Sequence, residues 1–300
     1  MAAEDEIPKH YQQQFNQNVA QLVQKNGSLL YPYVAHGGYT GESAEVVKQF
    51  GPTAARRGDN TRYGDTPIMS TPRDQRWVFP EYIDWGDLFD RQDLMKMLLD
   101  PTSILTKNAK DAMGREIDAV IIDAIFGDAK TGKNGGTTTV FPPTSQNVAI
   151  TVGSADGATD VGMNVAKIIK ARKVLRKNYV NVNAGDLCFV GGASQEEDLF
   201  NDDKFVNRRY RRTEVLEDAD SNEFFRCHFV FLEEMPLSGT TRSCALFPSD
   251  AIHLGEWETL MVNLAKNPSK KFNWQLYLHQ NAGATRTQEK SVARIQCKET

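Results

Sequence analysis

Between Gln49 and Arg76 the chain reads QFGPTAARRGDNTRYGDTPIMSTPRDQR, and no other stretch limits the choice of fold as much. Gly51, Gly58, Gly64, Pro52, Pro67 and Pro72 break any helix, and the stretch has almost nothing apolar to bury. A flexible linker would be rich in Gly and Ser. Here Arg56, Arg57, Arg62, Arg73 and Arg76 are set against Asp59, Asp65 and Asp74, with Tyr63, Ile68 and Met69 as small anchors. Arginine makes directed, bidentate ion pairs that lysine does not reproduce. The stretch reads as an arm reaching for another subunit; an ordinary surface loop has the same composition, and composition leaves both open.

Apolar runs bracket this arm. SLLYPYVAHGGYTGES leads into it, and WVFPEYIDWGDLF follows, with Trp77, Val78, Phe79, Tyr82, Ile83 and Trp85 fitting a strand that returns to the core. Two extended limbs around a Gly/Pro-rich middle predict a long, solvent-projecting hairpin. Upstream, Phe15, Val19, Leu22 and Val23 recur at helical spacing among glutamines, so residues 8–26 read as a thin amphipathic arm helix ending at Asn26-Gly27.

The strongest helix signal begins at Asp100-Pro101, an N-cap and a first-turn proline, and runs to Phe126. Ile104, Leu105, Ala109, Ala112, Met113, Ile117, Val120, Ile121, Ala124 and Ile125 give it one apolar side, and at 1.5 Å per residue it would span roughly 40 Å. A second helix is expected over Thr159–Asn178, with Val161, Val165, Ile168, Ile169 and Leu175 inward and Lys167, Lys170, Arg172, Lys173, Arg176 and Lys177 outward. Asp186–Gly192 (DLCFVGG) reads as a buried strand, and SQEEDLFND as a short helix with capping-box spacing from Ser194 to Glu197. A short strand is expected near Asn147–Val152. FFRCHFVFLEEMP, SCALFPSDAIHLG, FNWQLYLHQNAGATR and KSVARIQCKE are strand-like, with NAGATRTQE as a polar turn between the last two. The fold class is α+β.

The formal charge of -4 argues against a protein whose main task is gripping nucleic acid. Cys188, Cys227, Cys244 and Cys297 are far apart in apolar runs, as free buried thiols are, which favours a reducing compartment. The start of the chain has no signal-peptide pattern, and no run of apolar residues is long enough to cross a membrane. Gly127–Asn134 (GDAKTGKN) matches GxxxxGK without the final Ser or Thr, follows a helix rather than a strand, and reads as a loop rather than a phosphate cradle. His10, His36, His228, His253 and His279 have no metal spacing, and Cys227-His228 in a strand would point to opposite faces. No catalytic constellation, cofactor motif or metal site stands out. The densest basic cluster, Arg208, Arg209, Tyr210, Arg211 and Arg212, suits nucleic-acid phosphates or inter-subunit pairing with carboxylates such as Glu214, Glu217, Asp218 and Asp220; the second is the preferred reading.

The order of these elements, ending in ALFPSDAIHLG (246–256) and NAGATRTQEKSVARIQC (281–297), resembles the major capsid proteins of tailed bacteriophages with the Hong Kong 97-type fold. The resemblance implies an N-terminal arm over 1–48, an extended loop hairpin over 49–80, a peripheral domain with its spine helix over 81–145, an axial domain over 146–222, and closing strands over 223–300. It implies a non-enzymatic coat subunit in the virion, assembled in the host cytoplasm as hexamers and pentamers of an icosahedral shell. Arg56, Arg57, Arg62, Tyr63, Met69, Arg73, Arg76, Arg208, Arg209, Arg211 and Arg212 would carry the contacts between subunits, helped by Trp77 and Phe79. Further partners would be a separate scaffolding protein, a portal, a cementing or decoration protein, and packaged DNA bound only non-specifically, with no membrane. Some relatives lock the shell through a lysine of the extended loop; no lysine lies between Lys48 and Lys96, so contacts are expected to be non-covalent. The short segment before the arm is expected to leave no room for a cleaved scaffolding region. An encapsulin-like shell around protein cargo shares the fold and is the alternative.

Overall fold

The computed structural model describes residues 24–55, 57, 68–89, 102–182, 187–206, 223–224 and 226–299. The expected helix over 8–26 lies outside these up to residue 23, and residues 24–26 are not helical; the Asp100-Pro101 start of the spine helix and the Arg208–Arg212 cluster also lie outside.

Helix α1 (Thr102–Phe126) organises the molecule. Ala109, Met113, Ile117, Ile121 and Ile125 recur every four residues and are buried, the stripe expected of a helix laid on a sheet. Its first half packs on Leu276 and Leu278. Its second half enters a core with Phe247, Ile252, Leu254 and Val292. The helix is not one-sided, however, because a second face is covered by the chain that precedes it. Asp118, fully buried, accepts hydrogen bonds from the Leu29 and Leu30 amides (2.9 and 3.1 Å) and from the Ser28 hydroxyl. Lys25 Nζ lies 2.7 Å from the same carboxylate, which gives the buried charge its counter-ion. Gly114 makes this crossing feasible, since a Cβ there would stand 2.5 Å from the carbonyl carbon of Gly27.

Three sheets surround the helix. The largest runs β7 (Asn147–Val148), β15 (Ala293–Lys298), β12 (Thr241–Pro248), β8 (Leu187–Gly191), β10 (Cys227–Phe231) and β9 (Glu223–Phe224), with β11 (Leu237–Ser238) added on β12. Both faces are covered, so β8 is buried along its whole length. Leu187 and Phe189 join Cys244, Leu246 and Ile295 under helix α2 (Val165–Lys177). Cys188 and Val190 point the other way, with Ala245 and Phe247, toward α1. A second sheet orders β1 (Ala35–Gly38), β13 (Ile252–Asn267), β14 (Asn273–Arg286) and β4 (Glu81–Phe89). The third, β2 (Ala44–Phe50), β3 (Arg73–Val78), β5 (Ala129–Thr131) and β6 (Thr137–Thr139), contains the two limbs of the expected hairpin, paired antiparallel.

Several elements depart from the pattern read in the sequence. Helix α2 starts at Val165 rather than Thr159, because the Asn164 side chain accepts from the Lys167 amide as its cap. The preceding residues turn around Asp156, which accepts from Ser154, Ala158 and Thr159. Lys167 is fully buried rather than outward, and Ile169 is 52% exposed rather than inward. The Lys167 ammonium donates to the carbonyls of Val161 (2.7 Å) and Gln296 (2.8 Å), and burial lowers its pKa. The Ser194 capping box is replaced by Gly192 as the cap of α3 (Ala193–Asn201), whose amide donates to Gln195 Oε1 at 2.8 Å. NAGATR is not a turn but the second half of β14, and the bend comes at Glu289–Ser291. GDAKTGKN is not a loose loop either, because β5 and β6 form a small hairpin docked on β3.

The four cysteines are buried and form no disulfide with one another, as expected. Desolvation pushes the Cys227 thiol up to about 11 and raises Cys188 as well, while the hydrogen bond between Cys244 and Cys297 raises the first and lowers the second, both of them fully buried. An aromatic disulfide reagent should therefore leave all four unmodified in the native protein and titrate all four only on unfolding; one fast-reacting thiol would contradict the packing. Near the end of β15, Arg242 is almost buried and holds Glu299 through its Nε (2.7 Å) and Nη2 (2.9 Å). That hydrogen bonding lowers the Glu299 pKa below its ordinary 4.5. A depressed carboxylate contributes stability above its unfolded value and loses it as pH falls through the folded one. The melting-temperature gap between wild type and Glu299→Gln should therefore be constant near neutral pH and shrink below about pH 4.5; a gap that widens in acid would refute the pairing.

Candidate assembly surfaces

Both limbs of the hairpin are tied at their base to one short segment after β14. Arg76, on β3, is 3% exposed and forms an ion pair with Glu289, its Nη2 donating to Oε2 at 2.6 Å and its Nη1 lying 2.6 Å from Oε1. Gln49, on β2, donates from its side-chain amide to the Thr287 carbonyl. Arg286, fully buried, is the next link: its Nη2 lies 3.9 Å from Glu289 Oε1. The Nη1 of the same side chain donates to the carbonyls of Ala124 (3.3 Å), Ile125 (3.0 Å) and Gly127 (2.9 Å). Those oxygens belong to the C-terminal turn of α1, where carbonyls lack helical partners and the helix dipole favours a cation. The guanidinium also stands 5.2 Å from the Phe141 ring centroid. Burial lowers the Arg286 pKa, with Glu289 opposing the shift, yet an arginine remains charged.

Beyond this base the described hairpin residues are exposed. Phe50 is 66% exposed with Arg73 stacked 5.5 Å from its ring centroid, Ile68 is 97% and Met69 49% exposed, and Arg57 is also on the surface. Arg56, Arg62 and Tyr63 lie outside the described residues. Arg76, expected to reach a neighbour, is instead committed to its own chain, because Glu289 offers a matched carboxylate away from water. Trp77 is likewise turned inward, its Nε1 donating to the Gly132 carbonyl at 2.7 Å, whereas Phe79 is 41% exposed. Gly283 in β14 lets the chain between β3 and β4 pass, since a Cβ there would collide with the Phe79 carbonyl oxygen.

A groove of about 680 Å³ opens beside the base, lined by residues of β2 and β3 together with Tyr179 and Lys290. Tyr179 is 97% exposed at a positive φ of 62°. A further exposed apolar strip follows the far end of the β13–β14 hairpin, with Met261, Val262, Leu264, Phe272 and Trp274. Glu256–Lys271 carries no strand signal in the sequence, because Glu, Thr, Asn and Lys interrupt its alternation. Cys227 and His228 do point to opposite faces: the thiol is in the core under α2, while the imidazole lies against Tyr33. Among the described residues no cluster of His, Cys, Asp and Glu could hold a metal ion, and no helix is long and apolar enough to cross a membrane.

Comparison with known proteins places these surfaces in a wider setting. A family model described as phage capsid protein matches residues 7–299. No curated protein sequence matches the chain. Among solved structures, the capsid of cyanophage P-SCSP1u superposes with a TM-score of 0.73 at 10% identity, covering 98% of this chain and 94% of that one. The cyanophage Pam1 capsid gives 0.72 at 13% identity, with 99% of each chain covered. A structure of Mycobacterium phage Bobi gives 0.69 at 12% identity over 98% and 97%.

Removing Glu289 tests the basal junction. Glu289→Gln leaves two buried guanidiniums without their anion and is expected to cost about 3 kcal/mol of unfolding free energy. Hydrogen exchange should accelerate in β2 and β3 more than in β8. In a double-mutant cycle with Arg76→Ala, the two losses should add to more than the double variant shows, by at least about 1 kcal/mol; simple additivity would dismiss the pair as incidental.

Proposed function

The chain belongs to the phage capsid protein family and has the Hong Kong 97-type fold, and from that premise we propose that its copies close into the hexamers and pentamers of an icosahedral head shell around phage DNA. The observation that carries this reading is the hairpin of β2 and β3: firmly fixed at its base, and exposing apolar and cationic side chains among its described residues. Such a limb is completed by a neighbour. Arg57, Met69 and Arg73, with Arg56, Arg62 and Tyr63, are the proposed contacts along it, and Arg208, Arg209, Arg211 and Arg212 form a second set.

Each exposed ion pair along such an arm contributes only about 0–1 kcal/mol, so fidelity comes from repetition around closed rings and from buried anchors. Weak single contacts also let a misplaced subunit leave. The proposed divisions are a peripheral unit around α1 and the β13–β14 hairpin, and an axial unit around α2 and the seven-stranded sheet. The role is structural rather than catalytic. A separate scaffolding protein, a portal and a decoration protein are the proposed partners, with assembly in the host cytoplasm.

Expression alone and together with the neighbouring scaffold gene, followed by negative-stain electron microscopy, tests the reading. Capsomer rings or closed uniform shells that need the scaffold are expected, and on a denaturing gel they should dissolve to a single monomer band, since no loop lysine is available for cross-linking. Shells that form alone around protein cargo would point to an encapsulin-like role. Monomers under both conditions would overturn the proposal.

A further inference from the structure

Helices α2 and α3 sit on the same face of the seven-stranded sheet, yet their exposed sides carry opposite charge. Helix α2, VAKIIKARKVLRK, has no carboxylate, and Lys170, Lys173, Arg176 and Lys177 are exposed. Helix α3, ASQEEDLFN, has no cation, with Glu197 exposed and Glu196 half-buried. Asp156, Asp160 and Asp203 add exposed carboxylates at the α3 end of this layer, and Lys204 is a cation beside them among the described residues.

The two faces cannot satisfy one another within one molecule. Asp198 and Asp202 bind the Met163 and Val165 amides (2.7 and 2.9 Å), which fixes α3 at the beginning of α2. Lys173 and Lys177 lie further along it, about 12 and 18 Å from Val165. Screening at physiological salt acts over about 8 Å, so the attraction between these ends within one molecule is largely lost.

Each face also exposes one apolar side chain within its charges. On α2, Ile169, Arg172, Lys173 and Arg176 form one stripe that lines a groove of about 430 Å³. On α3, Phe200 is 39% exposed and rests edge-on against Phe205 at 6.1 Å. An apolar anchor within a charged ring is the pattern of an interface hot spot, and an aromatic ring entering a groove with arginines gains a cation–π contact as well.

We propose that the cationic stripe of α2 on one subunit receives the acidic, Phe200-bearing face of α3 on the next copy of this chain. Because donor and acceptor faces differ, the contact is head-to-tail, and repeated about an axis it closes a ring. The inference rests on the shell-forming reading above and names the contact that would join axial units inside a capsomer. Packaged nucleic acid is the competing occupant of α2; the exposed Ile169 in the middle of the stripe and the acidic counterpart on the same chain favour the second copy.

Charge reversal tests it on the full chain, expressed with its scaffold. Lys173→Glu with Lys177→Glu, and separately Glu197→Lys with Asp203→Lys, should each reduce capsomers and shells at least tenfold by gradient sedimentation, with melting temperatures little changed because these side chains face solvent. Combining all four substitutions should restore assembly, which no simple loss of folding would do. Phe200→Ser should weaken assembly without altering its salt dependence. Assembly of either reversed pair at wild-type yield, or no rescue by the combination, would overturn the contact while leaving the shell reading intact. Normal shells that retain less nuclease-resistant DNA would assign α2 to nucleic acid instead. Absence of any oligomer from the wild-type chain would bring down both readings together.

Discussion

Glu289 sits between two guanidiniums, and much of the architecture meets at that carboxylate. Through Arg76 it fixes a limb of the projecting hairpin, and through Arg286 it reaches the last turn of α1. Two cations and one anion in a nearly dry site would be costly if the second arginine had no other partner. The carbonyls at the end of α1 supply it, contributing the partial negative charge of a helix terminus. The junction therefore joins three elements that no hydrophobic cluster spans by itself.

Three other buried charged groups follow the same logic. Asp118 holds the segment Lys25–Leu30 across α1, Arg242 collects Glu233 and Glu299 at the rim of the seven-stranded sheet, and Lys167 is satisfied by two carbonyls. Each lies where separate stretches of chain cross, whereas sheet and helix interiors are apolar. Side chains with fixed hydrogen-bond geometry give each crossing one register, and the surfaces offered to neighbours are held by those crossings.

Local pattern made some of this legible in the sequence. The apolar run of Leu187–Gly191, the four-residue stripe along α1 and the Gly/Pro-rich arm each signal their state through composition and spacing; the structure agrees with the first two, and of the third it describes the two paired limbs. Lys167 was unreadable because its burial depends on carbonyls of Val161 and Gln296, the second far along the chain. Arg76 looked like its neighbours in an arginine-rich arm, and only the fold reveals that Glu289 waits beside it. The NAGATR segment is rich in turn-forming residues, but pairing with β13 along its length, and with β4 at Asn281 and Ala282, overrides that preference. The exposed charges of α2 were apparent, while their complement on α3 emerges only when both helices are seen on one face.

Strand order in the large sheet carries a kinetic meaning. β15 lies between β7 and β12, although its residues are synthesised after every other strand of that sheet. A growing chain thus holds a gap in its central layer, with Ile295 and Cys297 still missing from the core beneath α2. Since that core supports both α2 and α3, neither helix has its final seat until translation has passed Lys298. A contact between nascent chains through either helix would therefore have to wait for the finished subunit.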